Sequence, residues 1–191
     1  MEPVENKSFW NAAGKAGAIF GLLVFIVSLV GSYLTIHSEP SGSILGATMI
    51  ASALGCLVGA FGGVLGVRFY IMEYGPEMKI GRGAVIGLAT GVGIALVYQA
   101  LTFIWPLVDS SYIENLQRAM IANIEMMNQL PDAQKEEAID AMYTQMQNYY
   151  SAGNIVQSLF MGLITYGLLN LLSGLLSAKF MGKQPAREEE L

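Results

Sequence analysis

Apolar and polar residues fall in blocks along this chain, not in short alternation. Four uncharged runs occupy 16–35, 43–67, 83–105 and 155–178, and the only long polar stretch, 108–154, separates the third from the fourth. Each run reaches the roughly 20 residues a helix needs to cross the hydrocarbon core of a bilayer, and a buried soluble helix seldom runs so long without polar relief. The pattern predicts an all-α chain: an integral membrane four-helix bundle with an extramembrane amphipathic helical hairpin between spans three and four. The first run is expected to remain as a span, because a secretory signal has a shorter apolar core of about 7–15 residues followed by a small-residue cleavage site.

Two of the runs carry a second pattern. Ala47, Ala51, Gly55, Gly59 and Gly63 recur at every fourth position of the second run, and Gly83, Gly87, Gly91 and Ala95 do so in the third. On a helix such a ladder makes one flat face on which another backbone can lie closely. Two flat faces on consecutive antiparallel spans predict that spans two and three pack on each other. Gln99 and Asn170 are the deepest amides of spans three and four, and buried amides in a bilayer need partners, so a contact between those spans is expected to involve them.

The polar insertion has helical periodicity of its own. Ser111 and Glu114 have the spacing of a capping box, with Ile113, Leu116, Met120, Ile124 and Met127 on one stripe and Glu114 with Arg118 as an i,i+4 pair. Pro131 interrupts the pattern; a second helix from about Asp132 carries Ile139, Met142, Tyr143, Met146 and Tyr150, with Glu136, Glu137 and Asp140 opposite. The two helices predict an antiparallel hairpin, each leg about 25–30 Å long. Ile113, Met120, Ile124, Met127, Ile139, Met142 and Met146 either face one another or the membrane, or form an adaptable docking surface for a partner.

Composition agrees with the block pattern: of 191 residues, 53% are hydrophobic and only 13% charged, and the mean hydropathy is +0.48. The net charge of -5 is less informative than where the basic residues lie. Lys7, Lys15, Arg68, Lys79, Arg82, Lys179, Lys183 and Arg187 fall on the side of the termini and the second link, against Arg118 and Lys135 in the insertion. The positive-inside rule then places both termini in the cytoplasm and the hairpin outside. Tyr70 and Tyr74 are expected at the interface with Gly75-Pro76 as a turn, Trp105-Pro106 is expected to end the third span, and the charged tail 179–191 is too short to fold.

Candidate chemistry is sparse. One histidine, His37, and one cysteine, Cys56, have no second ligand at metal spacing, and one cysteine makes no intrachain disulfide. Gly81-Arg82-Gly83 through Gly87 superficially suggests a nucleotide-binding loop, but the spacing is one residue too long and no strand precedes it. A solvated helix face accounts for Glu136, Glu137 and Asp140 without a cation. No catalytic residue, metal site or cofactor is expected, and no nucleic-acid partner.

The Ser8-Phe9-Trp10 start, Gly66-Val67-Arg68 leading to Gly81-Arg82-Gly83-Ala84, and the acidic, Met- and Gln-rich helices before the last span resemble a bacterial membrane family, catalogued as domain of unknown function four-one-nine-nine. The resemblance spans nearly the whole chain and implies a multi-pass protein of the inner membrane, with no catalytic residue to carry over. The expected role is non-enzymatic association, in which the bilayer holds the bundle and the hairpin meets another envelope membrane protein or a second copy. The alternative is a small channel or transporter for a neutral solute, since charge-free spans disfavour ion coupling.

Overall fold

A computed structural model describes residues 8–43 and 46–183. The chain is all-α: α1 (Trp10–His37), α2 (Ala47–Ala60), α3 (Gly62–Tyr74), α4 (Ile80–Val108), α5 (Tyr112–Glu125), α6 (Asp132–Gln147) and α7 (Ala152–Met181). Among the described residues the one β pairing is an isolated bridge between Glu77 and Lys183. Four stretches, α1, α2 with α3, α4 and α7, are long and apolar enough to cross a membrane. α1, α4 and α7 run beyond the charge-free stretches at both ends, whereas α2 begins only at Ala47 and α3 continues to Tyr74; Lys179, expected in an unfolded tail, is helical in α7. Lys7, Arg187 and the end of the tail lie outside the described residues.

The second apolar run is two helices, not one. Its glycine-rich centre breaks at Phe61, which ends α2 and begins α3, with its amide turned back to the Val58 carbonyl at 3.1 Å. Glycine clusters are a recognised cause of such breaks. The break leaves the first amides of α3 without helical acceptors.

α4 is the central helix, packed between α7 and α1, while α1 also carries α2 and α3 packs on α7, α1 and α4. The two small-residue ladders do not meet each other, contrary to the expected pairing. A Cβ at Gly83 would strike Ala178 and Gly174, one at Gly87 the Asn170 carbonyl, and one at Gly91 the Tyr166 carbonyl, so the α4 ladder lies on α7. The ladder of the second run passes from one neighbour to another. Ala51 meets Gly31 of α1, whereas Gly59 meets Tyr166 and Gly63 meets Asn170, Ser173 and Gly174 of α7. The second and third runs do touch, through the neighbouring positions Gly62 and Gly66 against Thr90, Ile86 and Ile94. On the opposite side of α4, Gly93 approaches Gly17 of α1 so closely that a Cβ on Gly17 would lie 3.0 Å from the Gly93 Cα.

At the end of the bundle where α1 begins and α7 ends, Val67, Tyr70, Met78, Ile86 and Ala178 form a buried cluster. Tyr70 is fully buried there, so it is a core residue and not the interfacial anchor its position suggested; Tyr74 is half-buried. Gly75 supplies the expected turn at φ 93°. The turn is tied to the end of α7 by the Lys183 amide donating to the Pro76 carbonyl at 2.7 Å and the Met78 amide to the Lys183 carbonyl at 3.1 Å.

Candidate functional site

Three polar assemblies interrupt the apolar packing. The first is the break at Phe61, where Asn170 of α7 is fully buried. Its Oδ1 accepts the Gly63 amide at 2.5 Å, and its Nδ2 donates to the Tyr166 carbonyl at 2.8 Å. The side chain therefore satisfies one of the amides that the helix break exposes, in surroundings where water cannot. Gln99 does not reach Asn170. Its amide points to Ser158 Oγ at 3.5 Å, so α4 and α7 share a polar contact through Gln99, whereas the Asn170 side chain bonds α3 and its own helix.

The second assembly roots the hairpin. Trp105 Nε1 donates to the Tyr33 hydroxyl at 3.3 Å, and Tyr33 donates to Asp109 Oδ2 at 2.5 Å. Asp109 Oδ1 accepts from the Ser111 amide and hydroxyl at 3.1 and 2.8 Å. These bonds, the one from Tyr33 first, hold the Asp109 carboxyl below the usual carboxylate range. The expected capping box is absent: the Ser111 side chain makes no cap bond, Asp109 orders the turn instead, and Glu114 pairs with Arg118 at 2.7 Å on the surface. Further along α5, Asn123 Oδ1 accepts the Ser41 and Gly42 amides at 3.1 and 3.0 Å, and its Nδ2 donates to the Ser43 carbonyl at 3.2 Å. Gly42 sits at φ 63°, and a Cβ there would strike the Met126 carbonyl.

The third assembly is a groove of about 380 Å³ between α4, α7 and the foot of α6. Pro106 helps to shape it. The helix runs through Pro106 to Val108, past the expected stop, and proline's missing amide frees the Thr102 carbonyl. Tyr149 donates its hydroxyl to that carbonyl at 3.4 Å, and burial pushes the Tyr149 hydroxyl up to about 12, so it stays protonated as a donor. Phe103 packs edge-on against Tyr149 with ring centroids 5.8 Å apart.

The predicted docking stripe divides between two environments. Met120, Ile124 and Met127 line a cavity shared with residues of the α1–α2 link, so that face of α5 is turned to its own chain. Ile113, Ile139, Met142 and Met146 are half-buried. α6 packs on α5, and Lys135 of α6 donates to the Glu125 carbonyl at 3.3 Å across the hairpin. The legs hold 14 and 16 residues, about 21 and 24 Å at 1.5 Å per residue, shorter than expected because α5 unwinds at Met126, before Pro131. His37 bonds its own α1 through the Tyr33 carbonyl at 2.8 Å. Among the described residues no group of three or more His, Cys, Asp or Glu side chains is placed to hold a metal ion.

Asp109, Tyr33, Asn123 and Tyr149 were not singled out by sequence. The signals were there in part: Asp109-Ser110-Ser111 is an Asx-turn sequence, and a proline four residues after Thr102 predicts a free carbonyl. The family model described as a protein of unknown function, DUF4199, matches residues 15–180. The chain belongs to the DUF4199 family. No curated protein and no solved structure matches it. The stretch shared with the DUF4199 family begins inside α1 and ends inside α7, so it takes in the helix break, the hairpin and the groove.

Proposed function

We propose that this DUF4199 chain is a four-span protein of the bacterial inner membrane, with both termini cytoplasmic, that acts without catalysis by presenting its periplasmic hairpin to another envelope membrane protein or to a second copy. Lipid as the surrounding medium is supported by the outward face of α7, where Phe160, Ile164, Leu168, Leu172 and Leu176 are all exposed at four-residue spacing. A soluble monomer seldom leaves so large an apolar stripe in water. The orientation is supported by the gathering of Lys15, Arg68, Lys79, Arg82, Lys179 and Lys183 at the end opposite the hairpin.

The observation that carries the association reading is the unequal use of the two hairpin legs. α5 is committed to α1 and to the first link through Asn123, whereas α6 packs on α5 and leaves Glu136, Glu137, Asp140 and Tyr143 exposed. The hairpin thus has an anchoring leg and a presenting leg. A photo-crosslinking residue at Glu137, exposed on the presenting leg, is expected to give intermolecular adducts in native membranes. The same residue at Ile124 is expected to react within the chain, with residues of the α1–α2 link. Recovery of only the monomer from the Glu137 position would remove the basis of this reading.

A further inference from the structure

We propose that the groove between α4, α7 and the foot of the hairpin is a binding site for an uncharged, polyhydroxylated ring, the glycosyl headgroup of a neutral lipid. Its volume of about 380 Å³ lies within the roughly 300–1,000 Å³ of small-molecule sites. Its twelve lining residues are all uncharged, yet nine are Thr, Ser, Asn, Gln or Tyr, with Gln99, Thr102, Ser158 and Thr165 on the two apolar helices and Asn154 and Tyr149 toward the hairpin.

Electrostatics and hydrogen bonding select the class of ligand. A charged headgroup would find no counter-charge in the lining and would lose its hydration without replacement. Thr102 and Ser158 already donate to the Tyr98 and Asn154 carbonyls of their own helices, so a purely apolar occupant would strand Gln99 above all. Gln99 spends one amide hydrogen on Ser158 at 3.5 Å, which leaves its carbonyl oxygen and second amide hydrogen for another partner. Tyr166 is only 8% exposed, and its ring meets that of Tyr98 edge-on with centroids 6.2 Å apart. Donors and acceptors in mixture beside aromatic rings suit a sugar, whose hydroxyls both give and accept and whose C–H faces pack on rings.

The lipid source follows from where the groove opens. Met161 and Thr165 at its lip are exposed on α7, and the exposed stripe through Ile164 and Leu168 continues from there as a track for an acyl chain. From the α4 end at Val108, Gln99 is nine residues in, about 14 Å at 1.5 Å per residue, a depth a headgroup reaches only by leaving the interface for the groove.

This inference rests on the bilayer placement proposed above. The full-length chain in phosphatidylethanolamine nanodiscs, with a minority of monoglucosyl diacylglycerol or of tail-matched diacylglycerol, is released and its retained lipid read by native mass spectrometry. Preferential retention of the glucosyl lipid is expected, with a loss of about tenfold in Gln99→Leu, the size of one stranded hydrogen bond. Thr165→Val, an exposed change that leaves packing intact, is expected to weaken retention as well. Excess free glucose is expected to leave the lipid in place; displacement would assign the same chemistry to a soluble sugar. Equal retention of both lipids, or full retention in both variants, overturns the site while leaving the membrane reading standing, whereas failure to enter nanodiscs overturns both.

Discussion

Asn170 shows how one side chain can decide whether a broken helix is tolerable. The Gly63 amide it accepts has no helical acceptor, because α3 begins only one residue earlier, and Asn170 itself is fully buried. Leucine at 170 would fit the apolar seam but would leave that amide unpaired, a loss of about 1–3 kcal/mol. Asn170→Leu is therefore expected to lower the unfolding midpoint in detergent. Gly87→Ala, whose methyl would strike the Asn170 carbonyl, is expected to do the same by overpacking, while Gly14→Ala, inside α1 with open space around it, is expected to leave the midpoint unchanged or raise it slightly. Equal midpoints for all three would show that the seam is looser than its geometry. The glycine ladders were legible from sequence as flat faces, because period alone reveals them. Their partner was not legible: Gly83, Gly87 and Gly91 name a surface, and only the positions of Gly174 and Asn170 on a distant helix choose α7 over α3.

The elements were legible in kind, and in number except for the second run, which is two helices, since uncharged runs and amphipathic stripes report directly on length and burial. Their joints were less so. The break at Phe61 falls within a run that carries no charge to mark it, and Pro106 sits inside the last turn of α4, where the helix needs few further amides. The hairpin root is a joint of this sort, closed by the Tyr33, Asp109 and Ser111 bonds. The bonds lower the Asp109 value, so the folded arrangement favours the carboxylate. Its stabilisation is then complete above the ordinary aspartate value of about 3.9 and is lost as pH falls through the lower folded value. Amide exchange across α5 and α6, corrected for intrinsic rates, is expected to stay slow from neutral pH down to that region and to rise below it. Asp109→Asn, which keeps an acceptor but loses the charge, is expected to exchange faster at neutral pH and to show no acid transition. Identical profiles for the two proteins would mean that the hairpin is held by Asn123 and packing alone.

For the whole molecule the decisive asymmetry is between its two ends. One gathers Lys15, Arg68, Lys79, Arg82, Lys179 and Lys183 around a buried cluster that joins α1, α3, α4 and α7; the other is roofed by a hairpin with acidic residues on its outer leg. Cytoplasmic retention of lysine and arginine orients multi-pass chains, and acidic residues contribute little. The proposed orientation thus depends on basic positions alone and would survive neutralising the acidic face of α6. A cysteine placed at Ala133, exposed at the start of α6, gives the test once Cys56 has been replaced by serine. In intact cells Ala133→Cys is expected to react with a membrane-impermeant maleimide, and to do so equally when Glu136, Glu137 and Asp140 are changed to their amides. Labelling only after the cells are opened would reverse the orientation, and with it any partner that the presenting leg can meet. Labelling that followed the acidic residues would show that the basic ends do not by themselves determine which way up the bundle stands.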